Sequence, residues 1–301
     1  MLRILEGALA LGLLWSVMTI GVYLSYRILD IADLTTEGSI VLGASVSAVI
    51  IYNGGSPYFA ALAATLAGLS AGLCNGLLHT RLKIPPLLSG ILVMISLYSI
   101  NIRVMNKSAN ISLLRRATVF TGLMNMGVSK NMSAIIIGGI VSTLVILFVY
   151  WFLGTEIGSG VRATGDSPNM ARAQGVNTDN AKLIGLAMSG ALVGLSGALI
   201  SQYLGFSDVQ MGVGSIVIGL ASLIIGEVLF VRRGGIFRTL VSLALGAVVY
   251  RVIIALVIEA GMPATDLKLF TAVTVAVALC LPQITEAISG RRSRRKQDAS
   301  D

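Results

Sequence analysis

Ionisable side chains are rare inside the apolar runs of this sequence, and Arg251 is the clearest of them. It lies in the run AVVYRVIIAL, residues 247–256, and at least seven apolar residues follow it. A charged group within a membrane segment is costly, and it marks a functional position by default. A guanidinium there could bind the carboxylate of a transported solute. It could equally pair with Glu227 or Glu259, or extend its charged end towards the membrane surface, and the sequence leaves these alternatives open.

Two acidic residues, Asp33 and Glu37, precede a short motif that occurs twice. GSIVLG at 38–43 and GSIVIG at 214–219 are nearly identical, and Asp208 precedes the second copy. Glycine permits unwound backbone and close approach of another backbone, and the serine hydroxyl can bind a polar solute. The alternatives are an ordinary loop position for the acidic residues and a simple helix start for each Gly-Ser pair. The predicted lining of a translocation pathway is Asp33, Glu37, Gly38, Ser39, Gly214 and Ser215.

Residues suited to catalysis or metal binding are few. The sequence has one histidine, His79, and two cysteines, Cys74 and Cys280, which both lie within apolar segments. This inventory supports neither a disulfide framework nor a metal site. No G-x-x-x-x-G-K-[ST] phosphate-binding loop is present. We therefore predict a protein that is not an enzyme, has no cofactor and does not itself bind ATP.

The composition indicates an integral membrane protein. Hydrophobic residues make up 55% of the chain and charged residues 12%, about half of the roughly 25% charged residues usual in soluble domains. We predict an all-α, polytopic membrane bundle of eight or nine transmembrane helices in one domain, residues 1–285, followed by a basic tail, residues 286–301. The predicted spans are 4–28, 38–52, 57–79, 84–103, 133–153, 183–204, 211–230, 236–260 and 266–284.

The positive charges indicate how the chain crosses the membrane. Lys and Arg residues are concentrated on the cytoplasmic side of membrane proteins. If the tail is cytoplasmic, the inner side receives 14 of these residues and the outer side 7. We therefore predict a cytoplasmic C-terminus and an external N-terminus, although the N-terminus would change sides if 38–52 were re-entrant. Orientation accounts for the net charge of +8, so no nucleic acid partner is expected.

This topology predicts an inverted repeat. Spans one to four run opposite to spans six to nine, which gives halves of about 1–103 and 183–285. Short or glycine-interrupted spans at matching positions of two such halves indicate a transport pathway. Small residues four apart also let membrane helices approach closely. Such spacing occurs in the third and sixth spans, at Gly68, Gly72 and Gly76 and at Gly190 and Gly194.

The most informative stretch is residues 161–199, which includes a short predicted helix at about 168–174. This helix begins with a proline, a residue suited to the first helical position. Gly175 can end it in a left-handed conformation, and Asn177 or Thr178 can cap the next span. A helix this short is not stable alone, so it must pack against a partner protein or lipid headgroups.

Residues 161–199 resemble the cytoplasmic coupling loop of bacterial ABC importer permeases of the branched-chain amino acid/ribose class. The resemblance also covers ADLTTEGSIVLGA at 32–44 and, in order and length, essentially the whole chain. The Thr-Thr-Glu-Gly version is similar to a subgroup associated with amino acids, aromatic ones included. The matching positions in the coupling loop are Gly165-Asp166, then Ala171-Arg172-Ala173-Gln174-Gly175-Val176-Asn177, then Ser189-Gly190 to Gly197-Ala198.

The resemblance implies a membrane-spanning subunit that imports a small polar solute, with an amino acid as the expected one. It implies three partners: a separate ATP-binding subunit, an extracellular or periplasmic substrate-binding protein, and a second permease copy or a paralogue. It also implies a place in the bacterial inner membrane, in contact with lipid. The residues that it assigns to the ATPase contact are Asp166, Ser167, Pro168, Asn169, Met170, Ala171 and Arg172.

Two other classes of function remain to be weighed. A secondary transporter, coupled to an ion gradient, shares inverted repeats and broken helices but needs buried ionisable residues, of which only Arg251 is convincing in the sequence. An intramembrane enzyme needs a catalytic set within the bundle. A single histidine at the end of a span does not supply one.

Overall fold

The computed structural model describes residues 2–230, 235–261, 269–273 and 276. Within these ranges the chain is almost entirely helical, with one short two-stranded ribbon. The elements in chain order are α1 (Leu2–Tyr23, continued by a π-helical turn, Leu24–Ile28), α2 (Thr35–Tyr52), α3 (Pro57–Thr80), α4 (Pro86–Val104), β1 (Asn110–Ser112), α5 (Thr121–Met124), α6 (Lys130–Gly154), α7 (Glu156–Asp166), α8 (Pro168–Ala173), α9 (Thr178–Leu204), β2 (Phe206–Asp208), α10 (Ser215–Phe230) and α11 (Ile236–Glu259).

The predicted all-α membrane fold is confirmed. Seven described helices are long and apolar enough to cross a membrane, and α10 is a shorter apolar helix of 16 residues. These eight correspond to the first eight predicted spans, with ends that differ by up to five residues. The ninth predicted span, 266–284, and the basic tail lie outside the described residues, apart from a few positions of that span.

Contacts between helices give the direction of each. The start of α1, at Gly7, is near Tyr203 at the end of α9. Leu29, which directly follows the π-helical turn of α1, contacts Gly185 in the first half of α9, so α1 and α9 are antiparallel. Similar contacts show that α2 is parallel to α9 and that α3 is antiparallel to α9. In the other half, α10 is parallel to α1 and α11 is antiparallel to α1. The first three helices of the two halves therefore run in opposite directions, as the inverted repeat predicts.

The bundle has two ends that matter for the site. At one end β1 pairs with β2 in antiparallel register, with Ile111 opposite Ser207. We call this the ribbon end. At the other end, α7 and α8 connect α6 to the start of α9, and we call this the α8 end.

The predicted glycine faces pack directly against each other in the centre of the bundle. A methyl group at Gly68 would overlap the carbonyl oxygen of Gly190, and one at Gly190 would overlap that of Gly68. Gly72 is equally close to the backbone of Leu186. Close approach of this kind maximises van der Waals contact where lipid removes the hydrophobic drive for association. This close contact holds α3 against α9. Of the long helices, α9 and α1 are the most deeply buried.

Candidate functional site

A direct hydrogen bond joins the two copies of the repeated motif. The Glu37 carboxylate accepts it from the backbone N–H of Gly214, with an Oε1···N distance of 2.9 Å. Glu37 lies in the first turn of α2, and Gly214 immediately precedes α10. The first helix of each half ends ten residues before its repeated glycine, at Ile28 and at Leu204. Two interrupted segments at matching positions therefore meet inside the bundle.

The two glycines differ in conformation although their sequences match. Gly214 has φ +82°, in the left-handed region that favours glycine. Gly38 is helical, because α2 begins three residues earlier, at Thr35. Its lack of a side chain serves packing instead, since a methyl group there would lie 2.8 Å from the Leu97 side chain. The alternative of a simple helix start at each Gly-Ser pair fits α10, which begins at Ser215, but not α2, which begins at Thr35.

A cavity of about 400 Å³ lies between α2, α4 and the segment before α10. It is mostly apolar, and its polar groups converge from several elements. Two of the lining residues are bonded to each other: the Asn101 side-chain amide donates a hydrogen bond to the carbonyl oxygen of Gly38, with an N···O distance of 3.2 Å. Such a space suits a solute that combines an apolar body with a few polar groups. Among the residues that line it are Glu37, Gly38, Met94, Tyr98, Asn101 and Val213.

The two repeated serines are buried rather than exposed to this cavity. Ser39 is 0% exposed and Ser215 is 1% exposed. Neither hydroxyl oxygen has a hydrogen-bond partner within the described residues. Buried polar groups without partners are uncommon in proteins. The role of Ser39 and Ser215 in a pathway stays a prediction, and it requires a state in which the two segments separate.

Asp33 belongs to a network of polar side chains beside the first turn of α2. Its carboxylate accepts hydrogen bonds from the backbone N–H of Thr35, from the Thr35 hydroxyl and, at 2.9 Å, from the Asn75 side chain. The Asn75 amide oxygen in turn accepts one from the Ser89 hydroxyl, at 2.7 Å. This chain of contacts ties α2 to α3 and α4.

The burial of Asp33 corrects one sequence-based argument. Its side chain is 3% exposed, so Arg251 is not the one convincingly buried ionisable residue. The reason is that α2 begins inside the bundle, which carries the preceding loop inwards. Burial raises the pKa of the Asp33 carboxyl, against the opposing effect of the hydrogen bonds from Thr35 and Asn75. Whether Asp33 lines the pathway stays a prediction.

Arg251 contacts an aromatic ring. Its guanidinium carbon lies 4.3 Å from the centre of the Trp15 ring, within the range of a cation–π interaction. Glu227, one of the partners considered for it, is paired instead with Arg27 at 3.3 Å. Glu259, the other, is exposed at the end of α11. No ion pair of Arg251 occurs within the described ranges.

The segment predicted to contact the ATPase forms the short helix α8 at the surface. Pro168 occupies its first turn, Gly175 follows with φ +86°, and the Asn177 side chain caps α9 by accepting a hydrogen bond from the N–H of Asn180. Met170 is 65% exposed. Arg172 is held in place by a hydrogen bond to Thr178, at 2.7 Å, and by an ion pair with Asp179.

The seven predicted contact residues do not share one face. Asp166, Pro168, Asn169, Met170 and Arg172 are exposed, and Ser167 is partly buried. Ala171 is 2% exposed and faces the bundle, so it holds α8 in place and offers no surface to a partner. The assignment of this segment to the ATPase stays a prediction, in which Met170 is the central exposed side chain.

Packing connects α7 to the residues that lead into the loop with Asp33. A methyl group at Gly165, near the end of α7, would overlap the carbonyl oxygen of Ile28. The next residue, Leu29, packs against Gly185 of α9. The end of α7 is therefore in direct backbone contact with the end of the π-helical turn that continues α1.

Several residues of this site were not identified from the sequence. Trp15, Asn75, Asn101 and Tyr98 are absent from the predicted set, yet they contact Arg251, Asp33 and Gly38 or line the cavity. The two asparagines could have been found, because a buried amide in an apolar span needs a partner. Trp15 and Tyr98 carry no such signal, since aromatic residues are common in membrane helices.

Comparisons with known proteins agree with this architecture. A family model described as "Branched-chain amino acid transport system / permease component" matches residues 4–279. The chain is 42% identical over 268 residues to the tyrosine transport system permease protein of Clostridioides difficile (strain R20291), covering 89% of this chain and 88% of that protein. It is 31% identical over 195 residues to an uncharacterized protein of Rickettsia prowazekii (strain Madrid E), covering 65% and 66%. No solved structure matches the chain.

Proposed function

Because the chain belongs to the family of permease components of branched-chain amino acid transport systems, we propose that it imports an amino acid with an aromatic side chain, tyrosine first. The chain is the multi-pass permease component of an ABC transport system. The named solute comes from the relative that is 42% identical over most of both chains. The Thr-Thr-Glu-Gly sequence before the first repeat agrees with that choice.

The observation that carries the proposal is the meeting of two interrupted segments at Glu37 and Gly214. Their hydrogen bond joins the two segments beside a cavity that is mostly apolar. A route between two inverted halves opens when such a contact breaks. The solute passes between the Gly38-Ser39 and Gly214-Ser215 segments while an outer binding protein supplies most of the selectivity.

The energy comes from the separate ATP-binding subunit, and α8 is its contact. An exposed Met170 at the tip of a short helix fits an apolar groove on a partner. Movement of α8 passes through α7 to the end of α1 and to the loop with Asp33, because Gly165 packs on Ile28. In this arrangement the α8 end and the C-terminus are cytoplasmic, the ribbon end faces the binding protein, and a second permease copy or a paralogue completes the pathway.

The test is uptake by proteoliposomes that contain the permease, its ATPase and its binding protein. We expect ATP-dependent uptake of labelled L-tyrosine that unlabelled phenylalanine or tryptophan reduces and ribose does not. Vesicles with the ATPase omitted are the control, and they should show no accumulation. Accumulation driven by a proton or sodium gradient without ATP would instead identify a secondary transporter.

A further inference from the structure

A second cavity, of about 320 Å³, adjoins Gly214 and contains Arg251. Both cavities include Val213, so they flank the same turn before α10. The second lies within the size range of small-molecule sites, about 300–1,000 Å³. Its lining is mainly apolar apart from Tyr250, Arg251 and Thr271, and the apolar part includes Val213, Ile218 and Ile254.

The guanidinium group of Arg251 has an aromatic contact and a buried donor without a partner. Its central carbon lies over the ring of Trp15, 4.3 Å from the ring centre, and Trp15 is 6% exposed. A guanidinium has five N–H donors around its edge, and a ring on its face does not satisfy them. The Nε atom is buried and has no hydrogen-bond partner within the described ranges. The Nε–H group therefore retains hydrogen-bonding capacity inside a membrane span.

The start of α10 borders the same cavity. Val217, in its first turn, and Gly214 before it both line the cavity. The N–H of Gly214 is already donated to the Glu37 carboxylate, so recognition of an anion here depends on Arg251 rather than on this backbone. Arginine binds carboxylates through two parallel hydrogen bonds, a geometry that few other side chains offer. The combination suits a carboxylate attached to an apolar body.

We propose that this cavity is a carboxylate subsite of the transport route, in which Arg251 binds the carboxylate of the amino acid and Trp15 orients the guanidinium. The inference rests on the proposed function and names the group that is recognised within the membrane. An amino acid that leaves the outer binding protein then meets a fixed positive charge at the turn before α10. Amines of the same shape without a carboxylate lack that interaction.

Trp15 itself supplies a readout. The chain has two tryptophans, Trp15 and Trp151, so Trp151→Phe leaves Trp15 as the sole indole. The permease chain without its partner subunits, in lipid nanodiscs, is titrated with L-tyrosine, with tyramine, which lacks the carboxylate, and with 3-phenylpropionate, which lacks the amine. Trp15 emission, excited where tyrosine does not absorb, should change saturably with the two carboxylates and not with tyramine. Equal changes of Trp15 emission with tyrosine and with tyramine would overturn the proposal. This test needs no substitution of Arg251.

Variants at Arg251 give a second, independent measurement. Arg251→Gln should raise the KM for tyrosine uptake at least tenfold and abolish the Trp15 response. Arg251→Lys keeps the charge but loses the paired geometry, so its KM should be intermediate. The matched control is Arg116→Gln, since Arg116 also lies over an aromatic ring, that of Tyr52 at 5.4 Å, but at an exposed position. In the titration of the permease chain without its binding protein, its Trp15 response should equal that of the wild type.

The outcomes separate the two proposals. If wild-type vesicles take up tyrosine but Arg251→Gln has the wild-type KM, the subsite is wrong and the proposed function stands. If wild-type vesicles take up no amino acid, the proposed function is wrong. The titration with 3-phenylpropionate and tyramine then still decides whether the cavity binds carboxylates.

Discussion

Glu37 and Gly214 lie 177 positions apart in the chain and are joined by a hydrogen bond of 2.9 Å. Glu37 lies in the first of two oppositely directed sets of helices, α1 to α3, and Gly214 lies in the second, α9 to α11. The bond forms where α2 has just begun and α10 is about to begin. It is therefore a contact that a change in the relative position of the halves must alter.

Removing the Glu37 carboxylate should weaken the bundle. A hydrogen bond to a charged group contributes about 1.5–3 kcal/mol, so Glu37→Ala should lower the free energy of unfolding by roughly that amount and reduce uptake. Glu37→Gln retains an acceptor and should lose less. Thermal unfolding in detergent measures the effect, with Glu259→Ala as control because Glu259 is exposed. Equal stability of the Ala and Gln variants would contradict the role of the bond.

Gly214 should tolerate few replacements. Its left-handed conformation costs a residue with a Cβ atom about 1–2 kcal/mol, although nothing lies within 4 Å of that position. Gly214→Ala should therefore destabilise the protein, while Gly214→Asn should do so less, because asparagine visits this region more readily. Thermal unfolding of the pair separates backbone strain from lack of space. If asparagine were as harmful as alanine, strain would not be the cause.

Met170 should be essential for assembly with the ATPase. Met170→Asp places a charge in the proposed contact and should abolish copurification of a tagged ATPase, with the bundle intact. Met126→Asp is the matched control, since Met126 is 80% exposed near the ribbon end. That variant should retain the ATPase. Copurification of the ATPase with both variants at wild-type yield would rule out α8 as the contact.

Bulk between α3 and α9 should prevent folding. Gly190→Leu forces the two backbones apart, and overpacking of this kind costs about 1–3 kcal/mol or more. We expect little folded protein by size-exclusion chromatography. Gly139→Leu is the control because α6 has open space there, with nothing within 4 Å. Comparable yields of the two variants would show that the close approach of α3 and α9 is not required.

The sequence predicted the helices well because each has a long apolar run and recognisable ends. Pro57 and Pro86 lie at helix starts, and Gly175 and Asn177 occur at the turn and cap predicted for them. The repeated motif also identified both interrupted segments. Helix ends, caps and the repeated motif are set by residues close together in the chain, so they can be identified without knowledge of the tertiary contacts.

The tertiary partners were harder to predict. Whether Arg251 would meet a carboxylate or an aromatic ring depends on how α1 packs against α11, and nothing near Arg251 in the chain specifies Trp15. Asp33 resembled a loop residue, and its burial follows from the depth at which α2 begins. Which side chains of α8 face outward could not be predicted, because a six-residue helix has too few positions to define a face by periodicity, and Ala171 is 2% exposed.

The most direct test of the account is whether the two Gly-Ser segments open to water during the ATPase cycle. Cysteines are placed at Ser39 and Ser215 in a background without Cys74 and Cys280, and a membrane-impermeant thiol reagent is applied to the assembled complex. Since both serines are buried in this structure, we predict no labelling in the resting state and labelling of both positions in at least one nucleotide-bound or nucleotide-free state. Labelling that never occurs in any state, with uptake intact in Gly38→Leu and Gly214→Leu variants, would contradict a route between the halves.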